Sequence, residues 1–212
     1  NGETVMAKKT KECAERTRNQ LIDAARQLFL EHGVSKTTLE QIAIKAGYTR
    51  GAIHWHFKNK LEIFIAMRNA ASEPLIIRLD KILQDYETDD QMEAIGHSIK
   101  EFLTTLETDQ VTRETFMITE KRCEYTGEFA EIKEQVDKEE RDCHAKMSAA
   151  FSRAKSRGQL RSDICPDIAA EITHSFIIGS MNRGLDETGC MAFKCDPRLT
   201  IDAFINILRP KI

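Results

Sequence analysis

From Leu21 to Leu208 the apolar residues of this chain recur three and four positions apart, and nowhere do they alternate over a useful length. That spacing is the period of a helix and not of a strand. Leu21, Ala24, Ala25, Leu28 and Phe29 set it in the first segment, and Met92, Ile95, Ile99, Phe102, Leu103 and Leu106 repeat it further on. A longer stripe runs through Phe129, Ile132, Val136, Cys143, Met147, Ala150, Phe151 and Ala154. Only four prolines and ten glycines interrupt the 212 residues, which favours long helices. The expectation is an all-α fold of about nine helices with a core large enough to need no staples.

Local signals punctuate that pattern. Gly33 follows the first stripe as a stop. Thr38-Leu-Glu-Gln41 reads as a capping box opening a short helix whose apolar face is Leu39, Ile42, Ala43 and Ala46. Gly47 ends it, Tyr48 and Thr49 turn the chain, and Thr49 caps a third helix from about Arg50 to His56. Asn59 opens a long fourth helix through about Gln84, bent at Pro74. Later helices are expected after Asp90, over Thr112 to Tyr125, over Gly127 to Arg157, from Pro166 to about Asp186, and from Asp196-Pro197 onward.

Charge is unevenly placed. The net charge is -3, yet residues 1–60 carry 11 Lys and Arg against 6 Asp and Glu, while the rest carries 20 against 28. A basic head on an acidic body suits an oriented encounter with a polyanion. No apolar run reaches the roughly 20 residues of a membrane span, and the polar N-terminus has no secretory-signal pattern. Met6-Ala-Lys-Lys reads as a native start, and residues 1–5 are set aside as a remnant ahead of it. A cytoplasmic protein without a membrane partner is expected. Cys13, Cys123, Cys143, Cys165, Cys190 and Cys195 make neither C-x-x-C nor zinc-finger spacing. They read as reduced thiols, with Cys123 and Cys143 as small core residues.

The informative stretch is Thr37 to Lys60, TTLEQIAIKAGYTRGAIHWHFKNK. Helix, glycine-containing turn and helix follow at helix-turn-helix spacing. The second helix would enter the major groove of double-stranded operator DNA. Arg50 can fork onto guanine O6 and N7 or clamp a phosphate. Thr38, Tyr48, Thr49, His54, Trp55 and His56 complete the candidate contacts, and Lys60 at the next helix start is expected to meet a phosphate. Ile53 and Phe57 should point the other way, into a three-helix core.

Thr17 to Phe64 resembles the DNA-binding head of TetR/AcrR-type bacterial repressors. The resemblance is carried by Leu21, Ala24, Leu28, Phe29, Gly33, Thr38, Ala43, Gly47, Tyr48 and Thr49, and by the string TRGAIHWHFKNK. It implies a two-domain homodimer: a DNA-binding domain at residues 6–58 and a ligand-binding and dimerisation domain at residues 59–212. His54 stands where that family usually has tyrosine, which puts a titratable group at a phosphate contact and implies a pH-dependent share of DNA binding. Lys121 to Tyr125, Asp142 to His144, Lys8 to Glu12 and Arg157 to Leu160 are similar to the AcrR/TtgR-type multidrug-efflux repressors. That likeness implies control of an efflux operon and release by amphipathic or aromatic effectors. The alternative is a repressor of the same fold sensing one narrow metabolite or lipid-like ligand.

The body offers an apolar lining with polar anchors, as a drug-type pocket needs. Phe116, Glu120, Cys143, Met147, Phe151, His174, Ile177 and Met181 are the candidate ligand-binding residues. Ile168, Ile172, Phe176, Gly179, Ser180, Phe204, Ile205 and Leu208 are the candidate dimer face. No cofactor fingerprint, metal motif or catalytic triad stands in the sequence, so no cofactor and no enzymatic activity are expected.

Overall fold

The helical period becomes nine α-helices among the described residues, with no strand there; the structure, a computed structural model, describes residues 2–85, 88–186 and 196–211. They are α1 (Gly2–His32), α2 (Leu39–Lys45), α3 (Arg50–His56), α4 (Lys60–Leu83), α5 (Gln91–Thr108), α6 (Gln110–Met117), α7 (Ala130–Ser156), α8 (Pro166–Gly184) and α9 (Pro197–Leu208). Cys190 and Cys195 lie outside the described residues.

The caps fall where the sequence puts them. The Thr38 hydroxyl accepts from the Gln41 N–H at 3.2 Å, and the Gln41 side chain accepts from the Thr38 N–H at 2.9 Å. Thr49 caps α3 by accepting from Ala52 N–H at 3.2 Å. Asn59 accepts from Glu62 N–H, and the Glu62 carboxylate reaches back to Lys58 N–H. Asp90 and Asp196 cap α5 and α9. Gly33 and Gly47 hold φ of +83° and +77°, the left-handed region that ends a helix without a Cβ clash.

Two compact units form. One comprises the residues up to Ser72 together with Glu114–Ala130; the other comprises Glu73–Arg113 and Glu131–Ile212. The first is built on Leu21, Ala25, Phe29, Ile42, Ile53, Ile63 and Phe64, all essentially out of water. Phe29, Phe64 and Phe129 meet in tilted and edge-on ring pairs, with centroids 6.1 and 5.3 Å apart. In the second, α5 packs against α8 and α9. Its core includes Met92, Ile95, Ile99, Met147, Phe151, Ala169 and Ile201.

Several expectations change. The helix expected over Thr112 to Tyr125 ends at Met117 and passes into a π-helical turn, Ile118–Arg122; a 3-10 turn, Gly127–Phe129, then leads into α7. The fourth helix, by contrast, runs from Lys60 to Leu83 with Pro74 inside it, as expected. Cys143 is exposed and Cys123 half-buried, so Cys143 is not a core residue. Burial pushes the Cys123 thiol up to about 11, with Lys60 opposing and Glu124 adding to the shift.

The expected dimer face also divides. Ser180, Ile205 and Leu208 are buried within the chain's own packing, and a Cβ on Gly96 of α5 would come within 3.2 Å of Ile205. Ile168, Ile172, Leu199 and Ile207 are the large apolar side chains that α8 and α9 leave in water. Beside them the rings of Phe176 and Phe204 stack at 4.3 Å.

Candidate nucleic-acid interface

The capping of α2 and α3 fixes how the α3 side chains are presented. Ile53 and Phe57 go inward and are fully buried, as the sequence requires. Arg50, His54 and Trp55 go outward; Trp55, the one tryptophan of the chain, is 74% exposed. Its indole is an amphipathic surface presented to solvent on a well-capped helix. Thr38 and Thr49 are also exposed, with their hydroxyls engaged in the caps. His56 is half-buried with its ring 4.6 Å from that of Trp55. Burial, and then the charge of Arg18, hold His56 below its ordinary value of 6.5.

Two of the expected contacts have partners inside the fold. The Tyr48 hydroxyl donates to Gln20 Oε1 at 2.6 Å and accepts from Thr17 Oγ1 at 3.4 Å, which ties the α2–α3 turn to α1. The Lys60 ammonium donates to the Val34 and Ser35 carbonyls at 2.8 and 3.2 Å, and it lies 5.8 Å from the Phe129 ring. It therefore pins the turn before α2 with two of its three N–H donors.

Sequence reasoning missed three participants. Glu40 on α2 faces Arg50, with Oε1 3.6 Å from Nη1. Arg18 stacks over Phe57 at 5.1 Å. Arg26, on the buried side of α1, pairs with both Asp23 and Glu114. Of these only Asp23–Arg26 has helical spacing; the others meet through tertiary packing and leave no local signal.

The candidate ligand residues are distributed over both compact units. Phe116 and Glu120 belong to the first, Cys143, Met147, Phe151, His174, Ile177 and Met181 to the second. Met147, Phe151 and Met181 are buried, Phe116, His174 and Ile177 half-buried, and Glu120 and Cys143 exposed. A separate open groove of about 680 Å³ runs along α1 and is lined by polar and charged side chains, among them Glu12, Asn19, Asp23 and Lys45. Its chemistry differs from the apolar lining expected of an effector cavity. Among the described residues no cluster of His, Cys, Asp and Glu could hold a metal, and no helix is long and apolar enough to cross a membrane.

Comparison with known proteins bears directly on this head. The family model for bacterial regulatory proteins of the tetR family matches residues 21–67, which span the end of α1 through the start of α4. The HTH-type transcriptional regulator TtgR of Pseudomonas putida is 33% identical over 207 residues, covering 96% of this chain and 97% of its own. Among solved structures, NalD, the secondary repressor of the MexAB-OprM multidrug efflux pump in Pseudomonas aeruginosa, superposes with a TM-score of 0.78 at 32% identity, covering 92% of this chain and 95% of its own. The SmeT–triclosan complex superposes with a TM-score of 0.79 at 32% identity, covering 92% of each chain. SmeT is the repressor of the Stenotrophomonas maltophilia multidrug efflux pump SmeDEF.

Proposed function

Because this chain belongs to the TetR family of bacterial regulatory proteins and is a transcriptional regulator rather than an enzyme, we propose that it is a homodimeric cytoplasmic repressor of a multidrug efflux operon. It binds a palindromic operator and is released by amphipathic or aromatic drugs. The observation that carries the DNA reading is the division of α3: Ile53 and Phe57 inward, Arg50, His54 and Trp55 in solvent. The efflux reading draws its support from likeness over nearly the whole chain to NalD and SmeT, both named as repressors of multidrug pumps, and from the triclosan bound to SmeT.

The DNA-binding domain is residues 6–58, with Arg50, His54 and Trp55 as the leading contacts and Thr38, Thr49 and His56 beside them. Tyr48 and Lys60 act by fixing the turns on either side. Phe116, Glu120, Cys143, Met147, Phe151, His174, Ile177 and Met181 remain the candidate effector contacts. The boundary between the compact units crosses α4 between Ser72 and Glu73, next to Pro74. An interior proline removes one helical hydrogen bond, so this is the point at which α4 yields when the effector favours a conformation that cannot hold DNA.

Genomic DNA selection with the purified protein, followed by challenge with a panel of unrelated drugs, tests the proposal. A palindrome beside an efflux operon, released by several drugs, is expected. A palindrome that no drug releases would replace the multidrug reading with a narrow effector. No enriched site would refute DNA binding.

A further inference from the structure

Arg50 is the first residue of α3, where the positive end of the helix dipole disfavours a cation, and α3 has no acidic residue in its first turn. The missing negative charge comes from the neighbouring helix. Glu40 in the first turn of α2 places its carboxylate 3.6 Å from the Arg50 guanidinium, and both side chains are mostly exposed. The two groups are set by separate caps, Thr38 with Gln41 for α2 and Thr49 for α3, so their meeting is fixed by the turn between them.

We propose that Glu40 is a positioning residue that sets the specificity of the DNA interface. This rests on the DNA-binding reading above. Without DNA, the Glu40 carboxylate stands 3.6 Å from one terminal nitrogen of Arg50, an exposed ion pair and not a hydrogen bond. A single phosphate offers Arg50 one anion in exchange for another, and it brings its own charge toward Glu40. A guanine edge offers two directed hydrogen bonds and carries no net charge. Glu40 therefore penalises phosphate contact more than guanine contact, and full affinity is reached only where the base sequence repays the exchange.

The test uses the full chain, the duplex it enriches from genomic DNA, and sheared DNA lacking that sequence, with affinities measured across a salt series. Glu40→Gln is expected to tighten binding to the sheared DNA about two- to fivefold, as loss of one exposed charge interaction allows. It should tighten binding to the enriched duplex by a smaller factor, so that the ratio of the two affinities falls. The salt slope on sheared DNA should steepen by about one. In an Arg50→Ala background the ratio of the two affinities should no longer respond to Glu40→Gln. A ratio unmoved by Glu40→Gln in the parent chain, or moved equally in the Arg50→Ala background, would overturn the role of Glu40 and leave DNA binding intact. Failure of the parent chain to enrich any duplex would overturn both.

Discussion

Lys60 and His56 illustrate how the same residue types divide between holding the fold and touching a partner. Lys60 donates to two carbonyls of the turn before α2, so its substitution should act on stability first. Lys60→Met is expected to lower unfolding free energy by about 1–2 kcal/mol, the scale of a charge-assisted hydrogen bond discounted for partial exposure. The salt slope of DNA binding should stay within experimental error. A slope lowered by about one with unaltered stability would make Lys60 a phosphate contact after all. His56 is held below 6.5 by burial and by Arg18, so folding favours its neutral form. The stability this contributes is fully present above pH 6.5 and is lost as pH falls through the lower, folded-state value. Arg18→Gln should move the His56 imidazole titration, followed by proton NMR, upward toward 6.5. A titration unmoved by the substitution would remove Arg18 as a cause.

At the scale of elements, what could be read in advance was whatever is encoded within a few residues. The Thr38–Gln41 box, the Thr49 cap, Pro166 and the Asp196-Pro197 start all lie within one turn of the helix they define, and each appears where the sequence puts it. The π turn Ile118–Arg122 was not legible, because its backbone groups find partners outside the helical ladder, one of them far along the chain. The Arg122 carbonyl accepts from Val34 N–H at 3.0 Å, and the Thr119 carbonyl accepts from the Tyr125 hydroxyl at 3.1 Å. The tertiary bond to Val34 and the local one from Tyr125 together compete with the helical period that predicts a continuous helix through Tyr125. The same packing brings α6 against α1 through Arg26 and Glu114, both largely buried. Glu114→Gln leaves the Arg26 guanidinium with Asp23, which is more exposed than Glu114. We expect a loss of about 1–3 kcal/mol in denaturant unfolding, because one buried charge keeps only part of its compensation. A loss below about 0.5 kcal/mol would mean that Asp23 suffices.

At the scale of the whole molecule, the apolar stripe expected on the last two helices divides between buried and exposed residues. Periodicity says that a residue is apolar and on a face; it does not say whether that face turns to the chain's own core or to a second copy. Ile205 and Leu208 go to the core, while Ile168, Ile172 and Leu199 stay in water. Burying such a patch against its twofold copy is the ordinary solution for a helical protein. It would also supply what the DNA reading needs, two recognition helices about 34–36 Å apart. The double variant Ile172→Glu/Leu199→Glu should therefore sediment as a monomer with unchanged helical circular dichroism. Its affinity for the full palindrome should fall on the order of 10²-fold or more, because the second half-site is no longer bound at high effective concentration. Affinity for an isolated half-site should be unchanged. If the variant stays dimeric, or if the monomer binds the full palindrome as well as the parent, then α8 and α9 do not make the assembly that reads DNA.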